Sequence, residues 1–191
     1  MEVHIGLEIA ASPDAIDILG EPAKPGNWKQ ETYEEKLEEL RQKKLETAHN
    51  DLRTGLITGA AMTVHKDGKT STIDVDPVNL SGILRECLKH DDTVCGLGIK
   101  YRLMQAVWNG QLKGYGVTLV TEHNSSLKDA YCILKAEKAN MLMTDFLGFW
   151  EPRVSEAVDV RAAMAVCKYK EAARQSAVSY GISKAVLSYD G

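Results

Sequence analysis

The sequence predicts a mixed α/β domain in which an antiparallel β-meander precedes alternating helices and strands. Three observations carry that reading. Three strand-like runs rich in β-branched or small residues fall at Val3–Ala10, Leu56–Val64 and Thr70–Val75. An Asp67-Gly68 turn signal joins the second run to the third. Beyond Pro77, helix-period segments alternate with a short apolar run at Thr93-Val94-Cys95-Gly96-Leu97. At 191 residues the chain suits one domain, 1–191, long enough to bury a core.

Val3-His4-Ile5-Gly6-Leu7-Glu8-Ile9-Ala10 is mostly apolar and reads as a buried first strand. Its lone carboxylate, Glu8, is either a remnant of a metal-binding edge or a side chain that faces water where the strand ends. An excursion of little periodicity follows at about 11–30, punctuated by Pro13, Gly20, Pro22, Pro25 and Gly26. From Glu31 to about Asn50, Tyr33, Leu37, Leu40, Leu45 and Ala48 recur at helical spacing. The opposite face carries Glu34, Glu35, Glu38, Lys43, Lys44 and Glu46, and Glu39 precedes Lys43 in the favourable order. Asp51-Leu52-Arg53-Thr54-Gly55 turns into the second strand. Pro77 opens a helix through Leu80, Leu84 and Leu88, and a helix from Lys100 to Asn109 follows the inner strand. Gly110 to Val120 reads as loop with a strand at its end. Ser125-Ser126-Leu127 is a cap signal for a helix through Leu134. Residues 140–152 are strongly apolar, and Ser155 to Tyr180 reads as one long Ala-rich helix stopped by Gly181.

Lys+Arg 23 against Asp+Glu 27 gives a net charge of −4, so no cation excess announces a phosphate-binding surface. No apolar run approaches the ~20 residues of a membrane span. Met1-Glu2 runs into a strand without a secretory pattern. Cys87, Cys95, Cys132 and Cys167 form no CxxC pair. Reduced, buried thiols in a cytoplasmic protein are therefore expected. His4, His49, His65, His90 and His123 give no HxxxH or Cys/His ligand spacing, and Gly110–Gly116 lacks the spacing of a phosphate loop.

Several segments resemble phage-encoded 3′–5′ exonucleases of the DEDD group, whose fold is ribonuclease-H-like. They are the first strand; Asn27-Trp28-Lys29 with the charged helix; and Asp51-Leu52-Arg53-Thr54-Gly55-Leu56-Ile57-Thr58-Gly59. Gly96-Leu97-Gly98-Ile99-Lys100-Tyr101-Arg102-Leu103 and Ala165-Val166-Cys167-Lys168-Tyr169-Lys170 follow in the same order. The resemblance implies an α/β, ribonuclease-H-like mixed sheet flanked by helices. It also implies chemistry by two divalent metals held on carboxylates.

At the positions matched to that chemistry the sequence has Gly6, Glu8, Leu103, Val166 and Lys170, so one acidic ligand of the family's set remains. Glu171 does not restore the set, since one residue of helix turns a side chain by about 100°. Asp159 is displaced by about 16 Å of helix. The expected function is that of an inactive exonuclease-like protein acting through a protein partner, a phage protein that interferes with a host defence or nuclease complex. Phe146, Phe149 and Trp150 are the expected partner surface. Lys170 is expected within reach of Glu8, its ammonium standing in for the absent metals. No cofactor is expected; Mg²⁺ enters only under the alternative of an active exonuclease with a rearranged acidic site. Metal-free single-stranded nucleic-acid binding, through Lys100, Arg102 and Lys168, is the third reading.

Overall fold

The computed structural model describes residues 2–90, 92–112, 120–122 and 154–189. In chain order its elements are β1 (Glu2–Ala11), α1 (Ala15–Leu19), α2 (Gln30–Ala48), β2 (Gly55–Lys66), β3 (Lys69–Val75), a 3-10 turn (Pro77–Asn79), α3 (Leu80–Lys89), β4 (Thr93–Gly96), α4 (Ile99–Trp108), β5 (Val120–Glu122), α5 (Val160–Val166) and α6 (Lys170–Tyr189). The strands form one mixed sheet in the order β3-β2-β1-β4-β5. β1 pairs antiparallel with β2, and β2 with β3, which is the expected meander. Its hairpin turns at Asp67 and Gly68, both at positive φ (51° and 74°), as a two-residue turn between twisted strands requires. β4 joins the other side of β1 in parallel, and β5 joins β4 in parallel. β1 is therefore central, with neighbours of opposite sense on its two sides.

Alternation along β1 sorts its side chains between two layers. Val3, Ile5 and Leu7 face an apolar core shared with Leu80, Leu84 and Cys87 of α3 and with Ile99, Leu103 and Ala106 of α4. Glu2, His4, Gly6 and Glu8 face α6, which crosses the sheet on the other side. A bulge adjusts β2 to this division. Glu8 pairs with Gly59 and Ile9 with Ile57, which leaves Thr58 unopposed. The extra residue lets Ile57 and Ala60 both enter the apolar core.

The α6 face is built from small side chains. Ala61 of β2 packs with Cys167, Ala172 and Ala173. A Cβ on Gly6 would overlap the Ala172 carbonyl oxygen and come within 2.7 Å of the Ser176 amide nitrogen. A Cβ on Gly59 would run into the Tyr169 ring. The helix axis thus lies closer to the sheet than any larger residue allows.

Three expectations need correction. The stretch 155–180 is not one helix. A turn at 154–157, α5 and α6 are separate, and Cys167 between α5 and α6 is extended (φ −100°, ψ 147°). The break is stabilised by distant partners that periodicity does not register. The Asp74 carboxylate accepts the Lys168 and Tyr169 amides (2.6 and 3.1 Å), and Asp159 accepts the Ala162 amide at the start of α5 (3.0 Å). Gly181 does not stop the helix; it lies buried inside α6, where a Cβ would crowd Val154. The excursion at 11–30 contains the short helix α1, which packs against α2. The cap at Ser125, the helix through Leu134 and the apolar run 140–152 lie outside the described residues.

Because the Gly6 contact is with helix backbone, which has no rotamer to adjust, Gly6→Ala is expected to destabilise the fold by about 2 kcal/mol or more. Gly26→Ala, at a site with nothing within 4 Å, should stay within about 0.5 kcal/mol of the parent. Urea denaturation of the two variants side by side measures the difference.

Candidate functional site

Glu8 sits at the end of β1 that meets the N-terminus of α6. One of its oxygens, Oε1, accepts the Glu171 amide at 3.0 Å and the Ala172 amide at 3.4 Å. The first four amides of a helix have no partner within it, and the positive end of the helix dipole favours an anion there. Glu8 thus acts as a helix-capping acceptor, and among the described residues it belongs to no group of three or more potential metal ligands. It holds the last helix onto the first strand.

The five matched positions do not converge. Gly6 is closed by the backbone of α6. Leu103 is fully buried in the apolar core with Val3, Ile5 and Leu7, on the sheet face opposite Glu8. Val166 is 74% exposed at the end of α5. The expected contact of Lys170 with Glu8 is overturned. Its ammonium donates to the Met164 and Ala165 carbonyls (2.6 and 3.4 Å), at the C-terminal end of α5. A side chain in the first turn of a helix leans back toward the preceding segment, and here that segment presents unpaired carbonyls to a cation.

The candidate nucleic-acid residues are dispersed as well. Arg102 is half-buried and tied to the turn after α2, donating to His49 O (3.2 Å) and Asn50 Oδ1 (3.0 Å). Gln105 adds bonds to His49 O and Asp51 O, so this side of α4 holds the 49–55 turn in place. Lys100 is exposed on α4. Lys168 is exposed at the α5–α6 break, with its ammonium 5.0 Å from the Tyr169 ring centre. Phe146, Phe149 and Trp150 lie outside the described residues.

A different cluster forms at the other end of the β1–α6 seam. His4 and Cys95 are register partners on the parallel strands β1 and β4, and Glu2 lies on the same face as His4 two residues earlier. His4 Nε2 is 2.8 Å from Glu2 Oε1, and His4 Nδ1 is 2.8 Å from Ser179 Oγ. Ser183 Oγ donates to Glu2 Oε1 at 2.5 Å, and the Lys184 ammonium lies 3.7 Å from Glu2 Oε2. Cys95 Sγ reaches Glu2 Oε1 at 4.0 Å. The bond from His4, with help from Ser183 and the charge of Lys184, outweighs burial and holds the Glu2 carboxyl down at about 2. Burial first, and the Glu2 charge second, push the Cys95 thiol up to about 12.

This arrangement has two chemical possibilities. Carboxylate, imidazole and hydroxyl stand in line, the order of a nucleophile relay. His4 and Ser179 are both 0% exposed, however, so no substrate reaches that hydroxyl. The second possibility is ligation, since the donor atoms of Glu2, His4 and Cys95 all lie within 4.8 Å of one another. Among the described residues this mixed set, not a group of carboxylates, is what the fold brings together. Sequence spacing gave no sign of it, because His4 and Cys95 meet through strand register although they stand 91 positions apart in the chain. The three described cysteines are buried free thiols, as expected, and Cys132 lies outside the described residues. No helix among the described residues is long and apolar enough to cross a membrane.

Two outcomes follow from this geometry. Glu8→Ala should cost about 1 kcal/mol, the loss of a helix-capping acceptor, and the loss should be the same with or without Mg²⁺ in a urea titration. For Glu2, the folded-state value of about 2 lies below the ordinary 4.5, so its stabilisation is complete above pH 4.5. It fades as the pH falls from there through about 2. The stability gap between the parent and Glu2→Gln, followed by thermal melts in EDTA, should therefore narrow as the pH falls through that window.

Comparison with known proteins finds no matching family model, no matching curated protein and no matching solved structure.

Proposed function

We propose that this chain is a non-catalytic, ribonuclease-H-like protein that acts by binding a protein partner. The fold reading rests on the strand order β3-β2-β1-β4-β5, antiparallel on one side of β1 and parallel on the other. It rests as well on the segments that resemble phage DEDD exonucleases. The observation that carries the functional reading is the state of the β1 edge. The position matched to the family's first aspartate is a glycine pressed against α6, and Glu8 beside it is engaged by two amides of the same helix. A hard dication needs several oxygen ligands. Among the described residues Glu8 belongs to no group of three or more potential metal ligands, and its carboxylate already accepts two helix amides.

A partner-binding role draws on α4. Tyr101, Met104 and Trp108 follow one another at spacings of three and four residues along it, 42, 45 and 65% exposed. Apolar side chains left on one helix face are what a protein partner covers. The resemblance to phage enzymes makes a host nuclease or defence complex the class of partner to examine first. Nucleic acid is the weaker reading, because Arg102 and Lys170 already bond to carbonyls of this chain and the net charge is −4.

The decisive assay offers end-labelled single-stranded DNA with Mg²⁺ or Mn²⁺. The expected result is no released nucleotide, and metal-dependent release at catalytic turnover would overturn the reading. In parallel, Trp108→Ser should leave the melting temperature nearly unchanged and abolish capture of whatever protein the parent chain retains from lysate.

A further inference from the structure

We infer that Glu2, His4 and Cys95 form a binding site for a thiophilic divalent cation, zinc being the type case, that ties β1 to β4 beneath α6. The donor set is one thiol sulfur, one imidazole nitrogen and one carboxylate oxygen, a combination that suits zinc and disfavours magnesium or calcium. It is distinct from the Glu8 edge, and stands or falls independently of the proposed partner-binding role.

The two distances to Glu2 Oε1 are close to what a tetrahedral ion needs, and all three donor atoms lie within 4.8 Å of one another. With Zn–N and Zn–O near about 2.0 Å and Zn–S near about 2.3 Å, nitrogen and oxygen stand about 3.3 Å apart, and sulfur and oxygen about 3.5 Å apart. Here His4 Nε2 and Glu2 Oε1 are 2.8 Å apart, and Cys95 Sγ and Glu2 Oε1 are 4.0 Å apart. Each distance has to change by about half an ångström. Glu2 is the member free to make that change, since its side chain is 32% exposed whereas His4 and Cys95 are buried on paired strands. The same exposure gives the ion a route in.

The surroundings fit a ligating histidine. His4 Nδ1 lies 2.8 Å from Ser179 Oγ, and a hydrogen bond of this kind from the non-ligating nitrogen orients the ring. Water entering past Glu2 completes the coordination, while Ser183 Oγ, donating at 2.5 Å, orients the Glu2 carboxylate. Lys184 is the opposing charge. Its ammonium is on the outer oxygen, Oε2, at 3.7 Å, leaving Oε1 for the ion. An ionised Cys95 and Glu2 together supply the negative charge that offsets the dication beside that lysine.

The test uses the full chain, reduced and freed of chelator, titrated with Co²⁺ as the spectroscopic probe and with Zn²⁺ in competition. The expected result is one Co²⁺ per chain with a thiolate-to-cobalt charge-transfer band, bleached by one equivalent of Zn²⁺. Cys95→Ser should abolish that band while Cys87, Cys132 and Cys167 remain. Circular dichroism checks that the variant folds. Should it not fold, Glu2→Gln takes its place and is expected to weaken Co²⁺ binding at least tenfold. No charge-transfer band, a band that survives in Cys95→Ser, or an unchanged affinity in Glu2→Gln would each overturn the site.

Discussion

The fold depends on how closely α6 approaches β1. Gly6 sets the distance, because no side chain stands between the strand and the Ala172 carbonyl. Glu8 sets the position along the strand, because its carboxylate accepts the first amides of the helix. Magnitudes separate the two roles. A helix-capping acceptor contributes about 1 kcal/mol, whereas forcing a side chain into a packed backbone contact costs about 1–3 kcal/mol or more. The glycine therefore decides whether the helix can dock, and the carboxylate selects where.

Once docked, α6 is aligned by a line of polar contacts. Going from its N-terminus, Glu8 meets Glu171 and Ala172, Thr63 meets Ser176 (2.9 Å), His4 meets Ser179, and Glu2 meets Ser183. The β1 residues fall from Glu8 through His4 to Glu2 as the helix residues rise, so α6 runs antiparallel to β1. Buried polar groups without partners are penalised by about 1–3 kcal/mol each. A rotation or one-turn slip of the helix would strand several of them together, and that gives the seam a single register. The opposite face of the sheet is mostly apolar. Val3, Ile5 and Leu7 meet α3 and α4 there through shape and burial, and the polar contacts gather at the end of α4, where Asn109 and Gln111 bond to the Gly55 and Ile57 backbone.

The two ends of the seam bear on function differently. At the Glu8 end, helix and strand pack closely over Gly6 and Glu8 accepts helix amides, and the proposed non-catalytic role rests on that closure. At the Glu2 end, imidazole, thiol and carboxylate gather where water can still reach Glu2. The donors there are held by paired strands rather than by a loop, which is the arrangement that best fixes ligand geometry.

By itself the sequence determined the meander, the Asp67-Gly68 hairpin, the Glu39–Lys43 pair (2.6 Å) on α2 and the inner strand β4. Each is set by contacts a few residues apart, or by an alternation that any single strand displays. The resemblance to DEDD exonucleases also drew attention to Gly6, Leu103 and Lys170, the positions matched to acidic residues of that family. Only the tertiary structure decided what those positions do instead. Periodicity ran 155–180 together because the groups that break the helix, Asp74 and Glu8, lie far away in the chain and act through backbone amides that sequence does not mark. Likewise the Glu2-His4-Cys95 group exists because two parallel strands pair in one register, a fact fixed by the packing of the whole sheet and by no local spacing.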